Sequence, residues 1–113
     1  MSPTNFEKVI EFNKSFDVEV NNKPQPNIFN TNSQLTKLRL DLIKEEVDEL
    51  LTAVKTNDFT ETIDALADIL YVVYGAGASF GIDLDKAFNI VHKSNMSKLC
   101  KSEEEAKKTV GWY

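Results

Sequence analysis

The chain has 113 residues, 42% of them hydrophobic, enough for one compact domain with a buried core and too few for two. Thirteen Lys and Arg against eighteen Asp and Glu give a formal charge of -5 and a pI near 4.8, which argues against a nucleic-acid polymer as partner and favours cations. The single cysteine, Cys100, excludes an internal disulfide and a cysteine zinc site, so a reduced cytoplasm is the expected compartment.

The opening segment MSPTNFEKVIEFNK carries neither a basic leader nor an apolar export segment. Phe6, Val9, Ile10 and Phe12 recur at helical spacing behind a Thr4–Glu7 capping box, which predicts a first helix. The stretch DVEVNNKPQPNIFNTNS, rich in Asn and carrying Pro24 and Pro26, reads as a loop in which Val18 and Val20 are too few for a strand. Asn32 or Ser33 then caps a second helix that runs to about Lys55. Asp58 with Glu61 caps a third, continuing toward Ser79. Its uncharged run ILYVVYGAGASFGI, bounded by Asp68 and Asp83, is shorter than the roughly 18 residues of a membrane span, so a helix covered by protein is expected. A fourth helix starts near Asp83 and covers LDKAFNIVHKSNMSKL, and Ser102 with Glu105 is spaced to open a short terminal one. The sum is an all-α bundle of four to five helices in one domain, the second and third forming an antiparallel pair.

The acids of the second and third helices are the candidate site. With Leu35 at zero and about 100° per residue, Lys37, Asp41, Lys44, Asp48 and Lys55 fill a polar sector between about 180° and 240°. Glu46 falls near 20° and Glu49 near 320°, among Leu35, Leu38 and Leu42, with Glu45 at the edge near 280°. On the third helix, Glu61, Asp64 and Asp68 share about 60° of arc on a segment otherwise apolar nearly all the way round. Solvated charges, or acids paired with Lys or Arg, are the ordinary explanation for such residues. Carboxylates on dry faces of two paired helices instead suggest a divalent cation, magnesium or manganese, held by oxygen ligands.

Asn95 and Lys98, in HKSNMSK, lie one turn apart on the fourth helix; the lysine suits a phosphate, although alone the pair would read as a polar patch near a helix end. His92 is the one histidine, which rules out a di-iron site built on paired Glu-x-x-His motifs and leaves no argument for a nucleophilic triad. Gly75, Gly77 and Gly81 read as close helix packing or a bend. Trp112 and Tyr113 suit base stacking, a subunit contact or a frayed end equally.

KEEVDEL, then DALADILYVVYGAGASFGIDLDKAF, then VHKSNMSKL together resemble the all-α nucleoside triphosphate pyrophosphohydrolases, the MazG-like and phosphoribosyl-ATP-pyrophosphohydrolase-like group, over about residues 6–99. The resemblance implies magnesium ligands at Glu45, Glu46, Glu49 and Asp68. The family commonly has Glu three residues before that aspartate, where Ala65 stands here; Asp64 one step earlier substitutes, and Glu61 with Asp64 also satisfies Glu-x-x-Asp. It further implies nucleotide contacts at Asn95 and Lys98, and dimers or tetramers with sites near subunit contacts. The expected reaction is magnesium-dependent hydrolysis of a nucleoside triphosphate, foremost a deoxynucleotide, to the monophosphate and pyrophosphate, with Glu46 or Glu49 as base. Hydrolysis of a phosphoribosyl nucleotide or another pyrophosphate bond, and a non-catalytic nucleotide-sensing or oligomerisation module, are the alternatives.

Overall fold

A computed structural model describes residues 2–99. Helix α1 (Asn5–Ser15) opens on the capping box that the sequence announces: Thr4 Oγ1 accepts from the Glu7 amide at 3.1 Å, and Glu7 Oε1 accepts from the Thr4 amide at 2.8 Å. Asn32, rather than Ser33, caps α3 (Ser33–Lys55) by accepting from the Leu35 amide. Asp58 Oδ1 accepts from the Glu61 amide at the start of α4 (Phe59–Phe80). A four-residue helix, α2 (Ile28–Thr31), lies inside the segment expected to be loop; four residues of IFNT are too short to show helical periodicity in a sequence. Helix α5 (Leu84–Leu99) completes the described chain, which contains no strand. The fold is all-α, as expected, and the terminal helix suggested by Ser102 and Glu105 lies outside the described residues, as do Cys100, Trp112 and Tyr113.

The chain falls into two compact units, residues 1–83 carrying α1 to α4, and a second from Leu84 that carries α5. In the first unit α4 is the organising element, packed against α3 along its length and against α1 near its C-terminal half. Phe6 meets Tyr74, and Phe12 meets Tyr71 edge to face at 5.6 Å, with Val9 sealed between α1 and α4. The Asn-rich loop is tied to the end of α4 by backbone and side-chain bonds. Asn21 donates to the Ala78 and Ser79 carbonyls, Ser79 Oγ donates to the Glu19 carbonyl at 2.9 Å, and the Gln25 amide donates to the Phe80 carbonyl.

Helix α4 ends on Gly81 at φ 74°, a left-handed position that a side chain adopts at a cost of about 1–2 kcal/mol. A methyl group there would also run into the Lys23 carbonyl of the docked loop. Gly81→Ala is therefore expected to lower stability by roughly 2–3 kcal/mol, read as a reduced urea midpoint with unchanged slope.

One expectation about α4 is corrected. A helix apolar nearly all the way round was expected to be covered on most sides, yet only 28% of its most apolar 18-residue stretch is buried. Among the described residues it is the one helix long and apolar enough, by length and composition, to cross a membrane. Helices α1 and α3 cover two of its sides and leave Phe59, Ile63, Leu66, Leu70 and Val73 exposed in a 4-3-4-3 repeat.

Candidate active site

Antiparallel pairing of α3 with α4 brings acids separated by about twenty residues onto one seam. Oxygens of Glu46, Glu49 and Asp68 all lie within 4.8 Å of one another. Glu46 and Asp68 are half-buried while Glu49 is exposed, so the inward placement read from the helical wheel holds for Glu46 and is corrected for Glu49, which joins the cluster from the wet side. The reason is position along the seam: beyond Glu49 the helices border an open cleft of about 620 Å³, lined by Glu45, Asp48, Glu49, Thr52, Asp58 and Glu61 among others.

Burial pushes the Glu46 carboxyl up to about 6, reinforced by a hydrogen bond with Glu49 and by the charges of Glu49, Asp68 and Glu45. Asp68 is raised by burial first, then by the charges of Asp64 and Glu49 and a hydrogen bond with Asp64. Every charge acting on these two groups is negative, so pairing with Lys or Arg does not explain them. Oε2 of Glu46 is buried without a hydrogen-bond partner among the described residues. An unpartnered carboxylate oxygen, two acids pushed toward protonation and an all-oxygen donor set are what a hard divalent cation would relieve, so these residues fit such an ion. Glu46, Glu49 and Asp68 would hold it.

The remaining candidates fall into three groups. Asp64 is exposed and hydrogen-bonds Asp68, adjacent to the three acids without joining them. Glu45 and Glu61 are exposed and line the cleft on either side, Glu45 acting on Glu46 through charge alone. Asn95, half-buried, and Lys98, exposed in the last turn, belong to α5. His92 is exposed on the same helix. Ala65, where the resemblance leads one to expect Glu, is 1% exposed within the first unit. Asp48 and Asp58 escaped notice as cleft residues, because Asp48 sits in the polar sector of its helix and Asp58 reads as a cap. Nothing in their spacing marks a cleft.

With folded values raised above the unfolded ones, the native state binds more protons than the unfolded chain between Glu46's ordinary 4.5 and about 6. Stability without metal is therefore greatest toward the acid side of that window and falls as pH rises through 6. Metal-free protein is expected to melt several degrees lower at pH 7.5 than at pH 5 in a calorimetric scan, and saturating Mg2+ at pH 7.5 is expected to recover the loss. Equal melting at both pH values, with and without Mg2+, would contradict this electrostatic description.

A model of the phosphoribosyl-ATP pyrophosphohydrolase family matches residues 9–95, a span that includes all three clustered acids. The chain belongs to that family. An uncharacterised protein of Acanthamoeba polyphaga mimivirus is 56% identical over 82 residues, which cover 73% of this chain and 33% of the viral protein. The chain thus spans about a third of that relative's length. Phosphoribosyl-ATP pyrophosphohydrolases are hydrolases of phosphoric anhydride bonds, a chemistry in which phosphate charge must be neutralised while water attacks phosphorus.

Proposed function

We propose that the protein hydrolyses a nucleoside triphosphate, foremost a deoxynucleotide, to the monophosphate and pyrophosphate with the aid of Mg2+. The observation that carries this reading is the convergence of Glu46, Glu49 and Asp68 oxygens within 4.8 Å, with Oε2 of Glu46 buried and unpartnered. A bound Mg2+, or Mn2+ in its place, supplies charge neutralisation at the phosphate oxygens. Glu46 and Asp68, half-buried and held by the α3–α4 seam, are the fixed ligands. Glu49 is the exposed member and lines the cleft, which suits it to orient a water and take its proton on a carboxylate oxygen. The water oxygen bonds to the α-phosphorus as the bond from that phosphorus to the bridging oxygen breaks, and pyrophosphate leaves. Asp64, whose charge and hydrogen bond both push the Asp68 carboxyl toward protonation, adds to the negative field that a cation would relieve, while Glu45 and Glu61 shape the cleft. Asn95 and Lys98 are assigned substrate contacts on the family pattern alone.

A second copy of the chain is the proposed partner for the exposed α4 repeat, giving a dimer or tetramer. The proposed compartment is the cytoplasm, with neither a membrane nor a nucleic-acid polymer as partner.

The family match favours a second reading, in which a phosphoribosyl nucleotide is the substrate on the same acids. Pyrophosphate release with Mg2+ across deoxynucleoside, ribonucleoside and phosphoribosyl triphosphates separates the two. Release from deoxynucleotides first is the expected result, and no release from any of them by folded protein would overturn the catalytic assignment.

A further inference from the structure

Seven residues before Glu46 on α3, two helical turns or about 10 Å, Arg39 is 6% exposed. Its Nη2 donates to the Val72 carbonyl at 3.3 Å, and its Nε has no partner among the described residues. Burial alone lowers its pKa, with no carboxylate contributing. On the opposing helix, Val72 and Gly75 stand four and seven residues after Asp68, on the same face. Arg39 therefore meets Val72 and Gly75 on the seam where, two turns along, Glu46 meets Asp68. The guanidinium lies where a side chain on Gly75 would be: a methyl there would overlap Nη2 and approach Cζ to 3.0 Å.

A buried arginine with an unpaired N–H and no counter-charge is a poor choice for packing alone, where a leucine would serve better. A guanidinium buried at one place along a helix pair is, however, seated in only the register that sets it over a glycine, because sliding either helix by a turn drives it against a side chain. We propose that Arg39 is a positioning residue: seated on Gly75 and the Val72 carbonyl, it sets the register of α3 on α4 that brings the Glu46, Glu49 and Asp68 carboxylates together. The inference rests on the metal-site reading of those acids and adds what holds them in place.

The test uses the full chain as wild type, Arg39→Met, Arg39→Lys, Gly75→Ala and the Arg39→Met/Gly75→Ala double variant. Two readouts are taken: Mn2+ affinity by electron paramagnetic resonance, and cross-helix NOEs between Glu46 and Asp68 in metal-free protein. Arg39→Met and Gly75→Ala are each expected to weaken Mn2+ binding roughly tenfold and to lose those NOEs while remaining helical and cooperatively folded. Gly75→Ala keeps the arginine and improves helix propensity, so it carries the test even where Arg39→Met does not fold. Arg39→Lys, still a cation able to reach the Val72 carbonyl, is expected to recover most of the affinity. The double variant is expected to be no weaker than the worse single one, because both changes act on one seat. Were Arg39 to act only by its charge, removing a cation near the binding acids would tighten Mn2+ binding. Were it only packing, melting would fall with affinity and NOEs intact. Either result overturns the proposal. Wild-type protein that binds no Mn2+ would refute the metal reading separately, and the metal-free NOEs would still decide the role of Arg39.

Discussion

Glu46→Gln is expected to lower pyrophosphate release by roughly 100-fold or more while raising the melting temperature of metal-free protein at pH 7.5. The magnitude of the first effect takes the upper end of what loss of an indirect metal contact costs, roughly 10–100-fold, as the floor for losing a ligand. The second effect has the opposite sign because Glu46 is a liability to the fold: burial and three neighbouring acids hold its carboxyl up to about 6, so at pH 7.5 it is a charge in a place that disfavours it. Glutamine keeps the shape and removes that charge. A variant both more stable and inactive would show that the acid is retained for chemistry at the expense of stability. The measurements are pyrophosphate release under saturating Mg2+ and calorimetry of the metal-free variant. A stabilised variant of full activity would remove Glu46 from the site, and a destabilised one would contradict its electrostatic description.

If the exposed α4 repeat is covered by a second copy, as proposed, the wild-type protein runs as an oligomer and Leu66→Glu as a monomer of 12.8 kDa without loss of helix. Leu66 sits at the middle of the Phe59, Ile63, Leu66, Leu70, Val73 repeat, whose 4-3-4-3 spacing is that of a helix seam. At 50% exposure it supports little of the core of one chain, so a charge there is tolerable in the monomer and costly in a dry interface. Light scattering after gel filtration gives the mass directly. Wild-type protein at 12.8 kDa, or a variant whose mass stays that of a dimer or tetramer, would remove α4 as the contact.

Elements whose ends are written in local chemistry were legible in the sequence. The Thr4–Glu7 box and the Asn32 and Asp58 caps each involve residues within a few positions of one another, and each is found where its spacing places it, whereas Gly81, read as packing or a bend, turns out to be the left-handed cap that ends α4. The candidate acids were legible for a related reason: a 3.6-residue period brings Glu46 onto the dry arc of α3 and groups Asp64 with Asp68 on α4. Helix α2 was not legible, because one turn has no period. The exposure of α4 was not legible either, since periodicity reports that a face is apolar and is silent on which chain covers it. The same limit applies to Glu49, which shares an arc with Glu46 yet opens to a cleft lined by the end of α3 and the start of α4. Arg39 is the instructive omission. It falls at about 40° on the wheel that places Glu46 near 20°, so a cation on the dry arc was visible without knowledge of its partner. Its meaning needed Gly75, thirty-six residues on, to be brought opposite.

Anomalous diffraction from crystals of the full chain grown with Mn2+ tests the shared cation most directly. One strong peak is expected between the carboxylates of Glu46, Glu49 and Asp68, within about 2.0–2.3 Å of at least one oxygen of each. A peak elsewhere, or none at saturating Mn2+ with those three side chains turned apart, would contradict the account.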